Sequence, residues 1–157
     1  MFSLKPFHSF LVVVLVWLNI TFSREDALAH AVGENYVFMA VRADVIEGHF
    51  EIHETDLRDN LGIVMADGDE AEVVAGLTNS AGKVHAYITE HFTMSPDDGA
   101  PYAIGFGETK LFVLTSLGRF AQYHFRIPIT SVPDVVHFDH RMLYEKSRLH
   151  QAIIQCR

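Results

Sequence analysis

The apolar run Tyr36–Val41 and the apolar–polar alternation over His49–His53 predict two β-strands, one over residues 36–42 and one over residues 45–53, joined by a turn at Ala43-Asp44. Gly48 is expected to form a bulge in the second strand. Successive residues of a strand point to opposite faces, so Phe50 and Ile52 are expected toward the core and His49, Glu51 and His53 away from it. Thr55 is placed to cap a short helix over residues 56–61, which Gly62 would end in a left-handed conformation. The period then changes. Val73, Leu77, Val84, Ile88 and His91 recur near the helical repeat, and Asp67, Asp69, Glu70 and Glu72 crowd the start, where negative charge complements the helix dipole. One long amphipathic helix over residues 67–92 is predicted, kinked or interrupted at Gly82, since glycine costs ~1 kcal/mol in a helix interior.

After the Ser95-Pro96-Asp97-Asp98-Gly99 turn the alternation returns, predicting strands over residues 102–106, 110–115 and 119–128, the last two joined by a Ser116-Leu117-Gly118 hairpin turn. In the third of these, Phe120, Gln122, His124 and Arg126 alternate with Ala121, Tyr123, Phe125 and Ile127, so both faces are expected to be partly covered. Residues 135–138 read as a further strand and 139–148 as a polar connection. Residues 152–154 open an apolar strand, expected to lie unpaired as an edge prone to association. The fold expected from these elements is α+β and mainly β: an antiparallel, β-sandwich-like domain with one long helix packed against it. No internal repeat, low-complexity tract or second domain is visible.

The beginning of the chain adds an address. Lys5 precedes an apolar run over residues 10–22, broken only by Asn19 and Thr21, and Ala27-Leu28-Ala29 fits the small-residue pattern of signal-peptidase cleavage. The run spans about 13 residues, short of the ~20 that a helix needs to cross a hydrocarbon core, which favours a removable signal peptide over residues 1–29. The alternative is an uncleaved, tilted anchor around Trp17. Residues 30–157 would then form a single extracytoplasmic domain, in the periplasm or at the outer face of the inner membrane. Its size suits one core. The formal net charge of −8 argues against nucleic acid as a partner. With Cys156 as the sole cysteine, no intrachain disulfide can form, so packing has to supply the stability.

A family resemblance joins these features. Ala29-His30, then Tyr36-Val37-Phe38, then Glu47-Gly48-His49-Phe50-Glu51-Ile52, then Asp56-Leu57 and Leu61-Gly62 resemble the start of bacterial HupE/UreJ-like membrane proteins. The stretch over residues 112–127, with Leu114-Thr115-Ser116-Leu117-Gly118 at its turn, and Leu149-His150-Gln151-Ala152 are similar to the same domain. The resemblance covers most of residues 29–155 and implies an exported β-rich domain followed by a bundle of transmembrane helices. It further implies an association with hydrogenase and urease systems and with nickel. No apolar helix follows Ile154. The chain is therefore expected to be a C-terminally incomplete product or a stand-alone domain, whose partner is a membrane protein or its own missing transmembrane region, and it cannot transport by itself.

Ten histidines among 157 residues are the one compositional hint of metal chemistry. The candidate metal-ligating residues are His30, His49, His53, His137 and His140, and the candidate ions are nickel and copper, which nitrogen donors suit. Cleavage before His30 would let its imidazole and the new α-amino group chelate one ion, as a free periplasmic metal-binding protein would. His49 and His53 share a strand face but stand ~13 Å apart at ~3.3 Å per residue. His137 and His140 flank Asp139, while His85 and His91 on the long helix miss the i, i+4 spacing. Solvated or hydrogen-bonded side chains are the ordinary role of such histidines. No G-x-S-x-G setting surrounds Ser116 or Ser131, and no helix follows Gly105-Phe106-Gly107, so neither a hydrolase nucleophile nor a phosphate loop is expected. The expected function is non-enzymatic.

Overall fold

Alternate side chains of five strands build one wall of the core and two helices build the other. The computed structural model describes residues 33–97, 99–114, 118–147 and 149–157; the expected leader, His30 and the Ser116-Leu117 turn lie outside them. In chain order the elements are β1 (Glu34–Val41), β2 (Val45–His53), α1 (Glu54–Leu61), α2 (Glu70–His91), β3 (Phe92–Pro96), β4 (Gly105–Leu114), β5 (Gly118–Pro128), β6 (Val136–His140) and β7 (Gln151–Cys156). The main sheet has the order β4-β5-β2-β1-β7, and β3 and β6 form a separate two-stranded sheet. The fold is α+β and mainly β. One detail differs from the all-antiparallel expectation: β7 runs parallel to β1, from Glu34 opposite Gln151 to Met39 opposite Cys156. The apolar strand expected to lie unpaired is therefore held along its length, as the outermost strand of the sheet.

Register sorts the residues. Phe50 on β2 lies between Val37 on β1 and Tyr123 on β5, and Ile52 lies between Asn35 and Ala121. With Ile46, Phe125 and Ile127 the apolar side chains of this set are buried in one cluster, together with Leu57 and Leu61 of α1 and Val73, Leu77, Ala81, Val84 and Ile88 of α2. Each large apolar side chain so buried contributes roughly 1.5–3 kcal/mol. Both helices thus cover the same face of the sheet. Asp69 caps α2, its carboxylate accepting from the Glu72 amide at 2.9 Å. The helix then runs unbroken past Gly82, which lies exposed on the solvent side while Ala81, Val84 and Ile88 pack inward. Burial of those neighbours outweighs the glycine penalty of ~1 kcal/mol.

Three further expectations are corrected at their boundaries. His53, not Thr55, is the N-cap of α1: its Nδ1 accepts from the Thr55 amide at 3.1 Å, while Gly62 ends the helix in the left-handed conformation expected, at φ 62°. The expected strands over 102–106 and 110–115 are one strand, β4, with an irregularity between Phe106 and Thr109. The polar connection over 139–148 holds a buried turn. Met142 and Leu143 are fully buried, Leu143 adopts φ 66°, and its amide donates to the Tyr87 hydroxyl at 2.7 Å. Tyr87 in turn donates to Glu145 at 2.8 Å, tying this turn to α2.

Gly48 forms no bulge, for pairing continues through it to Met39 on one side and Phe125 on the other. Its role is close approach: a Cβ at Gly48 would overlap the Phe38 carbonyl oxygen, which is backbone and cannot swing aside. Gly48→Ala is expected to destabilise the domain by about 1–3 kcal/mol, the range of an overpacked core. Urea unfolding of the variant beside the native chain measures it, and an unchanged midpoint would contradict the close-approach account.

Candidate functional site

The face of the sheet opposite the helices carries a row of rings. Pairing places Phe38 on β1, His49 on β2 and His124 on β5 side by side. The Phe38 and His49 rings stack at 5.1 Å, the His49 and His124 rings lie 5.1 Å apart, and Tyr36 continues the row against Phe38 at 6.1 Å. Directly opposed residues of an antiparallel pair share a face, so this row follows from register alone. Beside it, His49 Nε2 lies 3.1 Å from Glu51 Oε1, and the Gln122 amide donates to the same oxygen at 2.7 Å. The carboxylate orients the imidazole. Along one end, Glu47 accepts from Arg42 at 2.7 Å and stands 3.9 Å from Arg126. Phe38, Ala40, Glu47, His49, Glu51 and Gln122 line an open groove of about 400 Å³.

Electrostatics distinguish the members of this row. Burial pushes the His124 imidazole below its ordinary pKa, with the neighbouring His49 and Lys110 adding to the effect. Its Nε2 is buried without a hydrogen-bond partner. An unpartnered buried ring nitrogen retains an unused lone pair or proton, so His124 has the chemistry of a ligand or a proton acceptor. Tyr36 donates to Glu34 at 2.5 Å, and burial together with that carboxylate pushes its phenol up to about 12.

The five histidines singled out in the sequence have separate situations. His30 lies outside the described residues. His49 belongs to the ring row, but His53 is engaged as the cap of α1 and packs edge-on against Phe120 at 4.9 Å. His137 is exposed and hydrogen-bonded to Asp97 at 2.8 Å. His140, an odd number of residues along the same strand, turns to the other side and packs edge-on against Phe92 at 5.8 Å. The structure brings neither His49 and His53 nor His137 and His140 together around a common point. Among the described residues, no three His, Cys, Asp or Glu side chains are arranged to hold a metal ion. The residue the sequence reading missed is His124. Its place on the polar-side alternation of β5 was visible, but the register that sets it against His49 depends on long-range pairing.

A second group of polar side chains lies under the sheet's end. Asp56 and His150 are both buried, and Asp56 Oδ2 and His150 Nε2 have no hydrogen-bond partner. Burial raises the Asp56 pKa against the opposing influence of His150 and His53, and it lowers that of His150 against the nearby carboxylates, Asp56 first. Burial also lowers the His140 pKa. Comparison of the chain with family models, with curated proteins and with solved structures finds no match.

These shifts set a pH dependence. His124, His140 and His150 all have folded-state pKa values below the ordinary 6.5. Below that value the unfolded chain binds protons that the folded chain does not, so stability is full above pH ~6.5 and declines as the pH falls. The carboxylates held below their usual range by Arg partners, Glu47 and Glu54, add acid sensitivity only in a lower window. Urea midpoints are expected to drop between about pH 7 and pH 5, with His140→Leu flattening the slope. A midpoint independent of pH over that interval would contradict the burial of neutral imidazoles.

Proposed function

We propose that the chain is a non-enzymatic extracytoplasmic domain of the HupE/UreJ-like kind, exported by its leader, which holds a nickel or copper ion on its outer sheet face beside a membrane bundle. The observation that carries this reading is the cross-strand pair His49 and His124, with ring centroids 5.1 Å apart and Glu51 within 3.1 Å of His49. Imidazole nitrogens suit nickel and copper. A carboxylate contact on a ligand ring fixes its orientation, and Glu51 makes such a contact with His49. Two protein donors leave positions that water or a donor from a partner fills. The net charge of −8 favours accumulation of cations near the surface. Among the described residues, no helix is long and apolar enough to cross a membrane, so passage of the ion through lipid belongs to other elements.

Calorimetric titration of the chain with nickel chloride and with copper sulfate tests the assignment. His49→Ala and His124→Ala are each expected to weaken binding about tenfold or more, as loss of a ligand or its support does, while His137→Ala leaves it unchanged. Retained affinity in both of the first two variants would overturn the sheet-face site. Loss with His30→Ala alone would move the site to the processed N-terminus.

A further inference from the structure

We propose that the β7 edge is a self-association surface, at which a second copy of this chain adds its own β7 antiparallel and extends the main sheet across a twofold axis. The observation is the direction of the backbone groups. On β7 the Gln151 amide donates to Gly33 at 2.8 Å, the Arg157 amide donates to Met39 at 3.0 Å, and the Arg157 carbonyl accepts from Val41 at 3.2 Å. N–H and C=O groups of a strand alternate sides residue by residue. Gln151, Ile153, Gln155 and Arg157 therefore spend theirs on β1, whereas Ala152, Ile154 and Cys156 direct theirs to the side of β7 on which, among the described residues, no strand pairs.

The two edges of the sheet are built differently. β4, at one end, has a register irregularity between Phe106 and Thr109 and exposes the charged Glu108 and Lys110, which are devices that blunt an edge against pairing. β7, at the other, reads Gln151-Ala152-Ile153-Ile154-Gln155-Cys156, without charge, proline or glycine. Ile153 is 40% exposed and Leu149, just ahead of the strand, is 88% exposed. An edge strand without charge, proline or glycine is a template for another strand.

The strand is also complementary to itself. With the axis at Ile154, that residue faces Ile154 of the second copy as a hydrogen-bonded pair, and Ala152 faces Cys156 of the second copy, so every outward N–H meets an outward C=O. Ala152, Ile154 and Cys156 share the core-side parity of Asn35, Val37 and Met39, and a twofold perpendicular to the sheet keeps that parity continuous between copies. On the outer side, Ile153 of one copy then stands opposite Gln155 of the other.

Sedimentation equilibrium of the full chain, in non-ionic detergent so that its apolar stretch near the N-terminus does not itself drive association, is expected to give a concentration-dependent dimer. The double variant Ile153→Lys with Gln155→Lys places like charges across the axis without touching a bond to β1, and is expected to be monomeric. The counterpart Ile153→Glu with Gln155→Glu is likewise expected to be monomeric, and an equal mixture of the two to recover the dimer. Oxidised Ala152→Cys is expected to form disulfide-linked dimers through Cys156 of the second copy, since Cα separation in such a pair, ~5.5 Å, is within disulfide reach. A native chain that stays monomeric, a dimer that survives the lysine pair, or a mixture that fails to recover it would each overturn the proposal. Circular dichroism of each variant establishes that loss of the dimer is not loss of the fold.

Discussion

Pairing of β2 along both of its edges is the constraint on which the rest of the structure depends. β1 and β5 together fix its register, and with it the faces to which its side chains point. A slip of one residue would drive His49 and Glu51 into the core and expel Phe50 and Ile52 from it. Burying an unpaired carboxylate costs several kcal/mol, and losing two large apolar side chains from the core costs as much again. The same alignment that protects the core therefore sets His49 against His124, so the arrangement of the outer face comes with the fold rather than beside it.

Histidine does more structural work in this domain than its abundance alone suggests. His53 caps α1, His91 Nδ1 donates to the Tyr87 carbonyl at 3.0 Å, and His85 stacks on Phe106 at 4.0 Å with its plane nearly parallel. The imidazole serves in each place as a flat, partly apolar body, and at His53 and His91 its rim also makes a hydrogen bond. Near His53, Arg119 on β5 holds Glu54 of α1 with contacts of 2.5 and 2.8 Å and reaches the Ala66 carbonyl at 3.1 Å. The guanidinium thereby links the first turn of α1 and the loop after it to the sheet. Its fork geometry suits a carboxylate, and removal of either partner would free both segments.

Patterns of local origin were legible in the sequence. The apolar run over Tyr36–Val41 and the alternation over His49–His53 specified both strands and the faces of the second, the repeat of Val73, Leu77, Val84 and Ile88 specified the long helix, and Gly62 specified the end of the short one. What depends on tertiary context was not. The sequence shows Gly48 as a glycine in a strand, but the approach of the Phe38 carbonyl that requires it belongs to another strand. Phe92 read as the end of the helix and Ser95-Pro96 as the start of a turn, yet pairing with β6 makes Phe92–Pro96 a strand. His53 lies at the end of an alternating run, so its service as a helix cap depends on the chain turning at Glu54. The ring row combines both kinds of information: parity was readable residue by residue, whereas the partner across each strand was not.

Placement of the last strand beside the first has a consequence for the order of assembly. Once β1 and β2 have formed their hairpin, the free side of β1 stays open until residues 151–156 have been made, since only β7 occupies it. Contacts joining the ends of a chain carry a high closure entropy and slow folding. The main sheet is thus complete only once residues 151–156 have left the ribosomal exit tunnel.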